Sequence, residues 1–177
     1  MTRARRLVYA TGIPGAGKTS LAGPLAAALG YALLTKDTIK ETLHDALGDP
    51  GAPEADLAWS RRLGGASMEL LWTLAARAPK VVIEANFRPH SEYERGRLLG
   101  LGGVPVEVHC ACPFEVAAAR YGARARHPVH VVDTLPASAR AEWDRPVGIG
   151  ALVAVDTTVA VDVAAVAARV RAHHAGG

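Results

Sequence analysis

Residues Val8–Ser20 read VYATGIPGAGKTS. Small and apolar residues run into a glycine-punctuated turn, and a lysine and two hydroxyls follow at once. Within it, Gly12 to Thr19 fits the pattern G-x-x-x-x-G-K-[ST] without a mismatch. Each residue type has a physical reason. Glycines let backbone N–H groups turn inward and approach phosphate oxygens. The helix that follows aims its positive end at the same anion. Lys18 supplies a charge between the β- and γ-phosphates, and the Thr19 hydroxyl is a ligand for Mg²⁺. The expected nucleotide contacts are Gly12, Gly15, Ala16, Gly17, Lys18, Thr19 and Ser20. The stretch predicts a strand, a phosphate loop and a helix that together hold a nucleoside triphosphate, ATP with Mg²⁺.

Outward from this loop, short apolar runs alternate with helical patterns. The strand candidates are Leu7–Ala10, Tyr31–Leu34, Lys80–Ile83, Val104–Ala111 and Ala151–Val155. The helix candidates are Lys18–Leu29, Asp37–Leu47, Ala55–Ala76, Ser91–Leu101, Phe114–Ala125 and Val161–His173. Strands alternating with helices imply parallel pairing through crossovers, hence an α/β sheet covered on both faces. Gly48–Glu54 is a loop by composition. Arg126–Gly148 holds three prolines and has weak periodicity, as expected of a lid inserted in a compact domain.

The chain has 177 residues, a length suited to one domain spanning 1–177, with the lid at about 120–148. Half of it is hydrophobic but only 5% is aromatic, so the core must be built mainly from Ala, Val and Leu. A net charge of +3 with few stacking aromatics disfavours a nucleic-acid partner. No apolar run approaches about 18 residues, and no membrane span is expected. LVYATG is too short for a signal core. Cys110 and Cys112 lie two apart, a poor disulfide geometry, and read as free thiols in a reducing cytoplasm.

The strand ends carry the other polar candidates. Asp37 sits where the second strand gives way to a helix, at the carboxyl edge where ligands collect in open α/β sheets. It is either a helix N-cap or a general base for an attacking hydroxyl. Lys40 lies one helical turn beyond. Glu84 ends the third strand as a carboxylate for a Mg²⁺ water or for an acceptor, or else lies in solvent. Asn86 and Arg88 follow as substrate contacts. Arg120 and Arg124 are four apart on a helical pattern and would close together over phosphates. Arg126 is a weaker candidate. His127 and His130 flank Pro128 and Val129 without the ligand cluster that a metal site needs. After the last strand, Asp156, Thr157 and Thr158 either meet the edge of adenine or simply turn the chain. An acceptor pocket is expected between Asp37, the Ala55–Ala76 helix and the insert, with Trp59, Trp72 and Trp143 as lining candidates.

These segments resemble a group of small P-loop kinases: phage polynucleotide 5′-hydroxyl kinase, chloramphenicol phosphotransferase, the zeta toxins and many "predicted kinases" with an AAA-type ATP-binding domain. GIPGAGKTS places the chain among P-loop proteins, and TKDTIKETL, VIEANFRP and RYGAR narrow the match. The resemblance implies a three-layer P-loop NTPase fold with a five-stranded parallel sheet in order 2-3-1-4-5, helices on both faces and a lid. It implies that Asp37 is the base for the acceptor hydroxyl, assisted by Lys40. It puts Glu84 and Asn86 near the acceptor or metal, and Arg120 and Arg124 in the lid. The activity implied is ATP-dependent phosphoryl transfer to a hydroxyl of a small molecule: an antibiotic, with resistance as the biological role, a nucleoside or a sugar-like metabolite. The alternatives are a polynucleotide 5′-hydroxyl kinase, a toxin-type kinase of a nucleotide sugar, or a nucleotide-binding switch.

Overall fold

The computed structural model describes residues 4–48, 56–143 and 145–176. Five strands carry the sheet: β1 (Arg6–Thr11), β2 (Ala32–Thr35), β3 (Lys80–Glu84), β4 (Val104–Ala111) and β5 (Ala151–Asp156). The helices are α1 (Lys18–Leu29), α2 (Lys36–Leu47), α3 (Asp56–Ala75), α4 (Glu92–Gly100), α5 (Phe114–Ala123), α6 (Ala139–Trp143) and α7 (Val163–Ala175). All strand pairs are parallel, in the order β2-β3-β1-β4-β5. This is the three-layer P-loop NTPase arrangement expected from the sequence. The loop expected at Gly48–Glu54 lies outside the described residues beyond Gly48, as does the Ala55 start of the third helix.

Residue alternation along β1 assigns the two layers. Val8 and Ala10 pack with Val82, Val106 and Val108 under Leu21, Ala22 and Leu25 of α1 and Val166, Ala167 and Val170 of α7. Leu7 and Tyr9 face the other way, with Val81 and Ile83, against Leu71, Trp72 and Ala75 of α3 and Leu98 of α4. Strand side chains alternate between faces, so one strand feeds both cores. The edge strand β5 differs from the expectation of two covered faces. Val153 and Val155 are buried, whereas Leu152, Ala154 and Asp156 are exposed.

Glycines bracket α1. Gly17 caps its start at φ 85° and Gly30 ends it at φ 69°, with Gly30 N donating to Ala27 O and Tyr31 N to Ala26 O. A left-handed residue at a helix end satisfies carbonyls that have no partner within the helix. The short helix α6 was not expected within the proline-rich insert.

Candidate active site

The register brings three strand ends level. Thr35 of β2 pairs with Glu84 of β3, and Glu84 pairs with Ala10 of β1. Two residues further along each chain stand Asp37, Asn86 and Gly12. Parallel strands with right-handed crossovers leave their carboxyl ends on one rim, and the cavity opens there. It has a volume of about 240 Å³ and is lined by the phosphate loop and α1 start (Pro14, Gly15, Gly17–Ser20), by Asp37, Glu84 and Asn86, and by Arg120, Tyr121, Arg124 and Arg126.

The loop conformation depends on glycine at two points. Gly12 has φ 127°, and a Cβ there would sit 2.4 Å from Cys110 O of β4. Gly15 has φ 90°, and a Cβ would sit 2.2 Å from Ala117 O of α5. Lys18 folds back inside the loop, donating to Gly12 O at 2.7 Å and Ile13 O at 3.0 Å. Burial pushes its ammonium below the ordinary lysine value, and Glu84 and Asp37 pull it back up. Burial also raises Glu84, against the pull of Lys18. A buried cation held by carbonyls, beside a helix amino terminus and two carboxylates, has the chemistry of a phosphate-and-cation site. The residues present therefore fit a nucleoside triphosphate with Mg²⁺: Lys18 and the loop amides for phosphate, Thr19 and Glu84 for the ion.

Asp37 is not the cap of α2. Thr35 is, its Oγ1 accepting from Thr38 N at 3.3 Å. Asp37 falls in the first turn and pairs with Lys36 at 3.3 Å. Burial pushes its carboxyl up, but Lys36, His130 and Arg124 outweigh this and hold it below the usual carboxylate value. An ionised carboxylate thus stands at the cavity wall.

Arg120 donates to Thr157 O at 2.9 Å. Arg124 lies just past α5, in extended backbone, so a shared helix face is not what unites it with Arg120. Both nevertheless line the cavity. Thr157 is buried and donates its hydroxyl to Ala111 O at 3.1 Å. With Val159, Val161 and Val163 it lines an apolar groove of about 320 Å³ that shares Gly17, Ser20 and Arg120 with the cavity. Asp156 accepts from Thr158 N and Oγ1 at 2.8 and 2.6 Å, so these two tie the turn.

Two predicted contacts point elsewhere. Lys40 is buried under the insert, donating to Ser60 Oγ at 2.7 Å and Val129 O at 3.2 Å. Arg88 pairs with Glu94 at 2.8 Å, in a depression with His90 and Ser91. Neither lines the cavity. Nor do the tryptophans. Trp72 is core, Trp143 Nε1 donates to Asn86 O at 3.1 Å, and Trp59 lies in a small pocket with His44 and Val129. His127 and His130 meet carboxylates of α2, Nε2 to Asp45 at 2.9 Å and Nε2 to Glu41 at 3.0 Å. His44, Asp45 and His127 cluster with their ligand atoms within 4.8 Å of one another. Val129 N donates to His127 Nδ1, which leaves the ring proton on Nε2 facing Asp45. Cys110 and Cys112 are free, and burial raises the Cys110 thiol to about 11.

Pro14 and Tyr121 line the cavity although sequence reasoning passed over both; one lies inside the loop motif, the other next to Arg120. Sequence reasoning also missed Glu107. This buried β4 carboxylate accepts from Thr11 Oγ1 at 2.6 Å, Val147 N at 2.8 Å and Gly148 N at 2.9 Å. Its signal was a lone Glu inside the apolar run VPVEVHCA.

Among the described residues no helix is long and apolar enough to cross a membrane. No curated protein matches the chain. Solved structures do. A candidate kinase from Chloroflexus aurantiacus is 32% identical, with a TM-score of 0.83 over 96% of this chain and 98% of that one. The shikimate kinase of Acinetobacter baumannii, solved with shikimate, is 18% identical with a TM-score of 0.60 over 96% and 92%. A gluconokinase from Sinorhizobium meliloti is 23% identical with a TM-score of 0.53 over 98% and 94%. At such identities the last two speak for the fold alone. Residues 7–146 match the family model described as AAA domain. With that match and a relative aligned along nearly its full length, the chain belongs to the AAA-domain family and, within it, to the small P-loop kinases.

Proposed function

We propose that the protein is an ATP-dependent phosphotransferase that moves the γ-phosphate to a hydroxyl of a small molecule, of the antibiotic, nucleoside or sugar-like kind. The observation that carries this reading is the meeting, in one cavity, of the phosphate loop with the ionised Asp37, Glu84 and the lid arginines Arg120 and Arg124. Glu84 alone would serve the metal of a nucleotide-operated switch; the second carboxylate, Asp37, is what an acceptor hydroxyl needs.

Bound MgATP supplies the activated phosphoryl group. Loop amides and Lys18 hold its phosphates. Thr19 and Glu84 would hold the ion. Arg120, tied to Thr157 O, borders both the phosphate cavity and the apolar groove, and the groove's valines and Thr157 receive the base. Asp37 accepts a hydrogen bond from the acceptor hydroxyl and aims it in line, taking its proton as the acceptor O–P bond forms, the bond from the γ-phosphorus to the bridging oxygen breaks and ADP leaves. Asn86 orients the acceptor from the next strand end. Arg124 neutralises charge on the transferred group. The segment 120–148, folded as a lid within the single domain, excludes water so that hydrolysis does not compete. The free thiols Cys110 and Cys112 suit a cytoplasmic setting.

The test is to incubate the full chain with γ-labelled ATP, Mg²⁺ and pooled hydroxyl compounds. Label should appear on a small acceptor and be lost in Lys18→Ala. Label on no acceptor, with nucleotide still bound, would refute the transfer reading.

A further inference from the structure

A second concavity adjoins the phosphate cavity, within the strap 121–133, with a volume of about 400 Å³. Tyr121, Arg124 and Arg126 line both spaces and form the wall between them. Beyond that wall His127 and His130 join the lining, with the exposed Asp133 as the one carboxylate among the described residues there. The histidine Nε2 atoms face α2 and bond Asp45 and Glu41. Both histidines thus spend a ring nitrogen on α2, and the permanent positive charge of the concavity is that of Arg124 and Arg126.

Neutral groups hold Arg126 in place. Its guanidinium carbon stands 4.2 Å from the Tyr121 ring centroid, and Nη1 donates to Val132 O at 2.7 Å. The Tyr121 hydroxyl donates to the same carbonyl at 3.3 Å. Among the described residues the arginine ion pairs are those of Arg88, Arg97 and Arg140, so neither Arg124 nor Arg126 has its charge cancelled by a carboxylate contact. A guanidinium fixed by a ring face and a carbonyl keeps donors and charge for a planar or tetrahedral anion.

We propose that the acceptor carries a second, anionic group besides its hydroxyl, a carboxylate or a phosphate ester, seated on Arg126 in this concavity, while Arg124 serves the transferred group on the other side of the wall. The hydroxyl lies at Asp37 and the anion across the arginine wall. The inference rests on the transfer reading above and narrows it, since neutral nucleosides, sugars and antibiotics lack the second group.

The experiment measures transfer from ATP to acceptors in matched sets: a polyol or hexose, its sugar acid, and its monophosphate. The anionic members should exceed the neutral one at least tenfold in kcat/KM. The ratio of sugar acid to monophosphate identifies the anion. Arg126→Gln should lower kcat/KM for the anionic member tenfold or more, with a far smaller effect on the neutral member. That difference separates charge recognition from simple damage to the strap, which would depress both alike. Arg126→Lys, which keeps the charge, should recover part of the loss. Equal use of neutral and anionic members overturns the inference alone. So does an Arg126→Gln defect confined to the KM for ATP, or label on a 5′-hydroxyl oligonucleotide in preference to the small anions. Label on no acceptor at all overturns the inference together with the transfer reading.

Discussion

Thr35 and Asp37 divide the start of α2 between them: the threonine hydroxyl caps the helix, and the carboxylate two residues on faces the phosphate cavity. Structure and chemistry are therefore separable by mutation. Asp37→Asn should leave thermal stability and nucleotide affinity near those of wild type while transfer falls about a hundredfold or more. Thr35→Ala should do the reverse for stability, costing about 1 kcal/mol in a denaturant titration. Normal transfer by Asp37→Asn would remove the base from the mechanism.

Gly15→Ala should be folded poorly or bind nucleotide weakly, because its Cβ would sit 2.2 Å from Ala117 O in a left-handed backbone. Gly65, inside α3, has nothing within 4 Å of its missing Cβ. Gly65→Ala should stabilise the protein by about 0.5–1 kcal/mol. Melting curves of the two variants, with and without nucleotide, check both claims.

Lys40 predicts an alkaline signature. Burial, helped by Lys36, pushes its ammonium down to about 8 from an ordinary 10.5. The unfolded chain binds this proton more tightly, so the Lys40 contribution to stability rises with pH between those values and is at its least favourable below 8. Cys110 opposes it above pH 9, since burial raises its thiol. The readout is therefore wild type minus Lys40→Met, by urea unfolding at stepped pH. The difference should grow in favour of wild type from pH 8 to 10. A flat difference would mean that the folded lysine titrates normally.

Glu107 anchors the return of the lid segment. It receives Val147 N and Gly148 N, while Arg95 holds Val147 O, and its third donor is Thr11, the residue before the phosphate loop. Glu107→Gln puts an amide donor against backbone N–H groups and should cost about 1–3 kcal/mol, visible in chemical denaturation.

Local chemistry marks the phosphate loop and α1 in the sequence, since glycines at 17 and 30 bracket an Ala- and Leu-rich stretch that stays helical in spite of Gly23 and Pro24. The strands are legible as short apolar runs, most plainly β3, where Val81–Ile83 end at Glu84. Sequence does not separate Thr35 from Asp37, as both are good caps and only the backbone decides which one serves. Nor does it show where a long side chain points. Lys40 spans to Ser60 and Val129, and Arg88 to Glu94, and helix periodicity gives a face rather than a partner. Arg124 reaches the cavity by a route that helical spacing does not describe, because α5 stops at Ala123. The helix α6 is too short to leave a periodic pattern, and its Trp143 is held by the distant Asn86 carbonyl.

The central placement of β1 has a consequence for how the chain assembles during synthesis. Its two neighbours are β3 and β4, which begin at Lys80 and Val104. The phosphate loop thus leaves the ribosome long before either flanking strand, carried on an apolar segment with both edges unpaired. Chains halted before β4 would expose that segment to aggregation, so chaperone dependence should be greatest for truncations ending ahead of residue 104 and should relax once β4 has docked.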